Sequence, residues 1–98
     1  MSDKVIPYGR QQINQEDIDA VVKVLKSNNL TQGPMIRKFE IEFSKYVGSK
    51  YAVAVSSGTA ALHLCTIALN TRPGDKVITT PLTFSASANC IRYCGGEV

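Results

Sequence analysis

Tyr51-Ala-Val-Ala-Val-Ser-Ser-Gly-Thr-Ala-Ala-Leu-His-Leu64 changes character at its midpoint, and that change decides the fold class. Residues 51–56 are an uncharged, β-rich run. Continuous apolarity over so few residues predicts a strand covered on both faces, as in a parallel sheet. Ser57-Gly58 breaks the run, and residues 59–69, rich in alanine and leucine, predict a helix. Downstream, Arg72-Pro-Gly-Asp75 reads as a turn and Lys76-Val-Ile-Thr-Thr80 as a second short strand. Pro81 to Thr83 then lead into a helix over about 85–94. Strands and helices in alternation argue for an α/β fold with a parallel sheet and right-handed crossovers.

Upstream of the first strand the pattern is helical. Residues 4–13 have no period and contain Pro7 and Gly9, which predicts an extended arm. Asn14 is a natural N-cap, with Glu16 and Asp17 in the first turn where the helix dipole favours acid. Ile18, Val21, Val22 and Leu25 recur at helical spacing while Lys23 and Lys26 point elsewhere, which predicts an amphipathic helix over about 15–27. Asn28-Asn29 is expected to end it, because asparagine tolerates the left-handed conformation. Leu30-Thr-Gln-Gly33 is a loop, and Pro34 suits the first position of a second helix. Ile36, Phe39, Phe43 and Val47 are expected to form that helix's buried stripe, with Gly48 as its stop. At the other end Cys94-Gly95-Gly96 reads as a helix stop and Glu97-Val98 as the start of something extended. That arrangement predicts a truncated chain, because a lone strand end has no partner to hold it.

The bulk composition excludes several classes. With 44% hydrophobic and 19% charged residues, the 98-residue chain is neither disordered nor fibrous. Its net charge of +3 is modest, and its 11 basic residues are scattered, with Arg37-Lys38 the longest run. A nucleic-acid binder concentrates such residues on one face, so no nucleic-acid partner is expected. The N-terminus lacks the apolar core of a signal peptide, and no stretch is long enough to span a bilayer, so no membrane role is expected. Three cysteines without a Cys-x-x-Cys pair fit free thiols in a reducing compartment, which predicts the cytoplasm.

The sharpest chemical feature is the strand–Ser57-Gly58-Thr59-Ala60–helix junction. Ligands of open α/β sheets collect beyond the carboxyl ends of the strands. A helix start there offers unpaired N–H groups and the positive end of a dipole, which suits a phosphate. Ser57 or Thr59 could equally be a plain helix cap, and both readings stay open because capping and anion binding use the same groups. The glycine spacing of nucleotide-hydrolase and dinucleotide loops is absent. Thr80-Pro-Leu-Thr-Phe-Ser85 ends the second predicted strand, so its loop is expected on the same sheet edge. Phe84 could lie flat on a planar cofactor, although packing under a loop is the commoner fate of a lone phenylalanine. Cys90 and Cys94 stand four apart with no histidine beside them, and read as small buried hydrophobes rather than metal ligands. His63 reads as a packing or surface residue. Tyr8 lies on the arm two residues before Arg10 and carries no claim from chemistry alone.

Four phrases occur in one register: Ile6-Pro-Tyr-Gly-Arg-Gln11, Leu30-Thr-Gln-Gly-Pro34, Ala52-Val-Ala-Val-Ser-Ser-Gly-Thr-Ala-Ala-Leu-His-Leu64 and Thr80-Pro-Leu-Thr-Phe-Ser-Ala-Ser-Ala-Asn-Cys90. Together they resemble the start of the DegT-type family of sugar aminotransferases. The resemblance implies the PLP-dependent transferase fold of type I, a three-layer α/β/α arrangement, truncated after the first strands of the large domain. Residues 1–34 would be an N-terminal arm and helix, and 35–98 the beginning of the cofactor-binding large domain. The cofactor implied is pyridoxal 5′-phosphate (PLP), which takes an amino group from glutamate and passes it to a UDP-linked keto-deoxy sugar.

Residue by residue, the resemblance implies that Ser57, Gly58 and Thr59 hold the cofactor phosphate and that Phe84 stacks on its ring. Tyr8, Asn28, Asn29, Leu30 and Thr31 would line the nucleotide-sugar or neighbouring-subunit side, in a homodimer with active sites at its interface. The arm and the Ser-Ala-Asn-Cys-Ile-Arg-Tyr-Cys-Gly-Gly stretch are most similar to the branch that aminates C4 of a UDP-4-keto-6-deoxy-N-acetylhexosamine on the route to pseudaminic acid. Related branches act on other nucleotide-linked keto-deoxy sugars. The family's Schiff-base lysine, and the aspartate that pairs with the pyridine nitrogen, belong to motifs that these residues do not contain. Lys50 and Lys76 do not match the lysine's context, no catalytic residue is assigned, and the piece by itself is expected to be inactive. Two other readings remain: a non-catalytic relative that has lost the lysine, and a small α/β module with a generic anion site.

Overall fold

The computed structural model describes Pro7 and residues 9–98. Tyr8 and part of the predicted arm lie outside the described residues. The chain divides into two units between Ala52 and Val53.

The first unit holds two helices made by local signals. Helix α1 (Gln15–Leu25) opens on a full capping box. Asn14 Oδ1 accepts the Asp17 N–H at 3.0 Å, and the Asn14 N–H donates to Asp17 Oδ2 at 2.9 Å. Two of the four N–H groups orphaned at a helix start are thereby satisfied. The expected asparagine C-cap does not form. Lys26 caps the helix in a right-handed conformation (φ −84°). The Ser27 hydroxyl donates to the Val24 carbonyl at 2.7 Å. The Ser27 N–H reaches the same carbonyl at 2.9 Å, so the helix closes without a left-handed residue at that point. The positive φ comes later, at Gln32 (50°).

Helix α2 (Pro34–Val47) begins and ends as the sequence predicts, with Pro34 in its first turn and Gly48 left-handed at φ 70°. Phe39 and Phe43 stack one turn apart at 5.7 Å between ring centroids. The expected burial of the stripe does not occur: Ile36, Phe39, Phe43 and Val47 are all exposed, Phe39 at 56%. The apolar residues of α1, Ile18, Val21, Val22 and Leu25, are exposed as well. Helical spacing creates an apolar face, but only a second surface can bury it.

The second unit has the tertiary core. Helices α3 (Gly58–Ala68) and α4 (Ala86–Tyr93) pack on one another. Ala86, Cys90 and Ile91 are buried between them, together with Thr66. After α3, Asn70 turns the chain at φ 58°. The predicted 72–75 turn closes through the Asp75 N–H to the Arg72 carbonyl (3.1 Å) and the Arg72 N–H to Asp75 Oδ2 (3.0 Å). Gly95 follows α4 at φ 83°, where an added Cβ would stand 2.8 Å from Pro73 Cγ. Only glycine fits that crossing.

The predicted strands need correcting. Residues 51–56 form no strand among the described residues, and Tyr51, Val53 and Val55 are exposed rather than covered. Of residues 76–80 only Lys76 joins a bridge, a parallel one to Glu97. There the Val77 N–H donates to the Glu97 carbonyl (2.9 Å) and the Glu97 N–H to the Asp75 carbonyl (2.8 Å). The bridge bears out the parallel direction and the extended start at Glu97. Ile78, two residues past Lys76, is 99% exposed. A strand exists only as one side of a ladder, and the ladder pairing seen among the described residues is the bridge from Lys76 to Glu97.

Among the described residues no helix is long and apolar enough to cross a membrane.

Candidate functional site

The N-terminus of α3 follows from its sequence. Ser57 is extended (φ −163°, ψ 162°), and its Oγ accepts the Ala60 N–H at 3.2 Å. The Ser57 carbonyl accepts the Ala61 N–H at 3.0 Å. The helix-cap reading therefore holds for Ser57. It does not use up the end of the helix. The N–H groups of Gly58 and Thr59 make no hydrogen bond among the described residues. Because Ser57 Oγ accepts in the cap, its own proton stays available to donate.

Two further features suit an anion. No acidic residue stands in the first turn of α3, in contrast to α1 with Glu16 and Asp17, so the positive end of this dipole is not neutralised. A Cβ built on Gly58 would meet nothing within 4 Å, so a ligand atom could come close to the backbone there. Two free N–H donors, one hydroxyl donor and open space are the chemistry that a phosphate monoester needs. The residues present thus fit the phosphate end of the implied cofactor.

Phe84 stands just before α4, and its carbonyl accepts the Ser87 N–H at 3.1 Å. The Thr83 and Ser87 hydroxyls lie 3.1 Å apart. The Phe84 side chain is 76% exposed, so in this structure it does not pack under its loop. The four residues predicted for the cofactor, Ser57, Gly58, Thr59 and Phe84, all lie in the second unit, at or just before the starts of the two helices that form its core.

Of the residues predicted for the substrate side, Asn28, Asn29, Leu30 and Thr31 lie in the first unit, on the exposed link between α1 and α2. The Asn29 N–H donates to Ser27 Oγ at 3.3 Å. Asn29 also lines a groove of about 320 Å³ with Val24, Pro34 and Met35, flanked by Lys23 and Lys38. Tyr8 lies outside the described residues.

The residues set aside in the sequence reading stay aside. His63 meets Tyr93 edge-on, with ring centroids 5.3 Å apart, which is a packing contact. All three cysteines are free, and no metal-binding cluster occurs among the described residues. Lys76 Nζ pairs with Glu97 at 3.8 Å, and Lys50 Nζ lies 5.2 Å from the centre of the Tyr51 ring. The sequence reading passed over Thr66. Its one signal was a lone polar residue in the last turns of the otherwise apolar helix Gly58–Ala68.

Known proteins share this framework. The sequence pattern described as the DegT/DnrJ/EryC1/StrS aminotransferase family matches residues 11–98. The chain is 49% identical to the spore coat polysaccharide biosynthesis protein SpsC of Bacillus subtilis over 92% of its own length and 23% of the relative's. It is 44% identical to a UDP-4-amino-4,6-dideoxy-N-acetyl-beta-L-altrosamine transaminase of Campylobacter jejuni, over 96% of this chain and 25% of that one. Among solved structures, the PLP form of Spr1654 from Streptococcus pneumoniae superposes with a TM-score of 0.81 at 35% identity, covering 94% of this chain and 24% of that one. The chain spans about a quarter of the length of these relatives.

Proposed function

We propose, from the premise that this chain belongs to the DegT/DnrJ/EryC1/StrS aminotransferase family, that the full-length protein is a PLP-dependent sugar aminotransferase. Its donor would be glutamate, and its acceptor C4 of a UDP-4-keto-6-deoxy-N-acetylhexosamine. Bound PLP supplies the electron sink for moving the amino group. The chain's own residues bind and orient. The Gly58 and Thr59 N–H groups and the Ser57 hydroxyl hold the phosphate at the positive end of α3, and Phe84 covers one face of the ring. Tyr8 and the Asn28-Asn29-Leu30-Thr31 link serve the nucleotide-sugar side, in a cytoplasmic homodimer. Residues 1–34 are the arm and first helix, and 35–98 open the large domain.

One observation carries this reading: just after a capping serine, the Gly58 and Thr59 N–H groups have no partner among the described residues, and the space where a Gly58 Cβ would stand is open. Gly58→Ala tests it. The new methyl meets nothing in the chain, and alanine suits a helix better than glycine, so helix stability should not fall. A phosphate held against that backbone would be displaced. In the full-length protein Gly58→Ala should weaken PLP at least about tenfold, a loss of about 1.4 kcal/mol, while pyridoxal, which lacks the phosphate, binds as before. Equal PLP affinity in the two proteins would leave only a helix cap. The 98 residues by themselves, mixed with PLP, glutamate and keto sugar, should give no turnover, because no lysine among them stands in the family's context.

A second acceptor has its own support. SpsC, named for spore coat polysaccharide biosynthesis, is 49% identical to this chain, against 44% for the altrosamine transaminase. Transfer to another nucleotide-linked keto-deoxy sugar is therefore the alternative. Product analysis of the full-length enzyme with a panel of UDP- and dTDP-linked keto sugars separates the two.

A further inference from the structure

We propose that Thr66 is a positioning residue for the phosphate turn, because its hydroxyl fixes the register of α3 against α4. This rests on the cofactor reading above. Thr66 is the only buried polar side chain among the described residues, at 8% exposure. Its Oγ1 lies 2.8 Å from the His63 carbonyl in its own helix and 3.1 Å from the Cys90 carbonyl in α4. It also accepts from Cys94 Sγ at 3.4 Å.

The α4 carbonyl has a reason to need this donor. The N–H that would ordinarily reach Cys90 O is that of Cys94, four residues on. It goes instead to Ile91 O at 3.1 Å, as the last turn tightens. A buried carbonyl without a donor is costly, and the single Thr66 proton, shared with the His63 and Leu62 carbonyls of its own helix, is a donor within reach.

The rest of the α3–α4 contact is the buried apolar set Ala86, Cys90 and Ile91 and, at its rim, the edge-on meeting of His63 and Tyr93. Apolar contact is non-directional and tolerates small slides and rotations, whereas a hydrogen bond fixes distance and angle. Thr66 supplies the directional element. Ser57 lies nine residues earlier on the same helix, about 14 Å along its axis. A helix moves as a stiff rod over that length. A rotation of α3 at Thr66 therefore re-aims the Gly58 and Thr59 N–H groups relative to the element that carries Phe84.

The test uses the full-length protein, with PLP and pyridoxal affinities measured by equilibrium dialysis on preparations matched for folded content by circular dichroism. Thr66→Val keeps the size and loses the hydroxyl, and is expected to weaken PLP about tenfold with little change for pyridoxal. Thr66→Ser keeps the hydroxyl and should stay within about twofold of the unsubstituted protein. A merely structural role would lower the melting temperature and leave the affinity of the folded protein unchanged. Thr66→Val binding PLP normally, or Thr66→Ser failing to rescue, would overturn the proposal. If Thr66→Val does not fold, Thr66→Ala replaces it, and failure of both to fold assigns a plain structural role instead. If Gly58→Ala loses PLP but Thr66→Val does not, the positioning role alone falls. An unsubstituted protein that binds no PLP sinks the cofactor reading and this inference together.

Discussion

The two units reach order by opposite routes. In the first, α1 and α2 are defined at their ends: a capping box at Asn14, proline and glycine at the limits of α2, and serine at the close of α1. Their apolar faces stay largely exposed. In the second, α4 has no side-chain cap at its start, yet it contributes Ala86, Cys90 and Ile91 to the core and receives a hydrogen bond from Thr66. End signals define a helix without giving it a place. Packing gives it a place even where the end signals are weak.

The largest effect that can break this contrast comes from its core. Ile91 is 2% exposed, and Ile91→Ala should cost about 2–5 kcal/mol, because a buried cavity cannot close fully. Phe39 has the larger side chain but stands open to solvent on α2, so Phe39→Ala should cost under about 1 kcal/mol in this chain, little beyond its stacking on Phe43. Urea unfolding followed by far-ultraviolet circular dichroism reads both. In the full-length protein the ranking should narrow, with Phe39→Ala costing several kcal/mol once its face is covered. Equal costs in the 98-residue chain would show that the two units do not differ as described.

The same contrast explains what could be read from sequence. Helix positions, the Asn14 cap, Pro34, Gly48 and the Arg72–Asp75 turn were legible because each depends on residues within four positions of one another. The burial of Ile36, Phe39, Phe43 and Val47 and the pairing of residues 51–56 were misjudged. Spacing shows that a face is apolar or a segment β-prone, but the partner is a matter of tertiary structure. The Ser57-Gly58-Thr59 turn was legible as an anion site or a cap, and the structure divides it: serine caps, while glycine and threonine keep free N–H groups. Thr66 was not legible, because its meaning lies in Cys90 and Cys94, at 24 and 28 residues' separation.

A smaller effect sharpens the local side of the contrast. Asn14→Ala removes the side-chain half of the capping box, the Asp17 N–H on Asn14 Oδ1, and keeps the backbone N–H of residue 14 that donates to Asp17; it should cost about 1 kcal/mol of helix stability. The loss should be confined to α1, read as faster amide exchange in its first turns, with α3 and α4 unchanged. Protection lost from the α3–α4 core in this variant would mean that the cap supports more than its own helix.

The smallest effect is at the Lys76–Glu97 pair. It spans the parallel bridge of the second unit, 3.8 Å apart with both side chains largely exposed. An exposed ion pair at that distance is worth a few tenths of a kcal/mol and is screened by salt. Lys76→Ala should therefore leave the urea midpoint nearly unchanged at 0.15 M salt. The bridge itself is held by backbone groups, the Val77 N–H on the Glu97 carbonyl and the Glu97 N–H on the Asp75 carbonyl, which the substitution does not touch. A loss above about 1 kcal/mol, beyond the range of exposed pairs, would show that the charges and not the backbone hold the start of this sheet. The second unit would then owe part of its order to a local signal, as the first does.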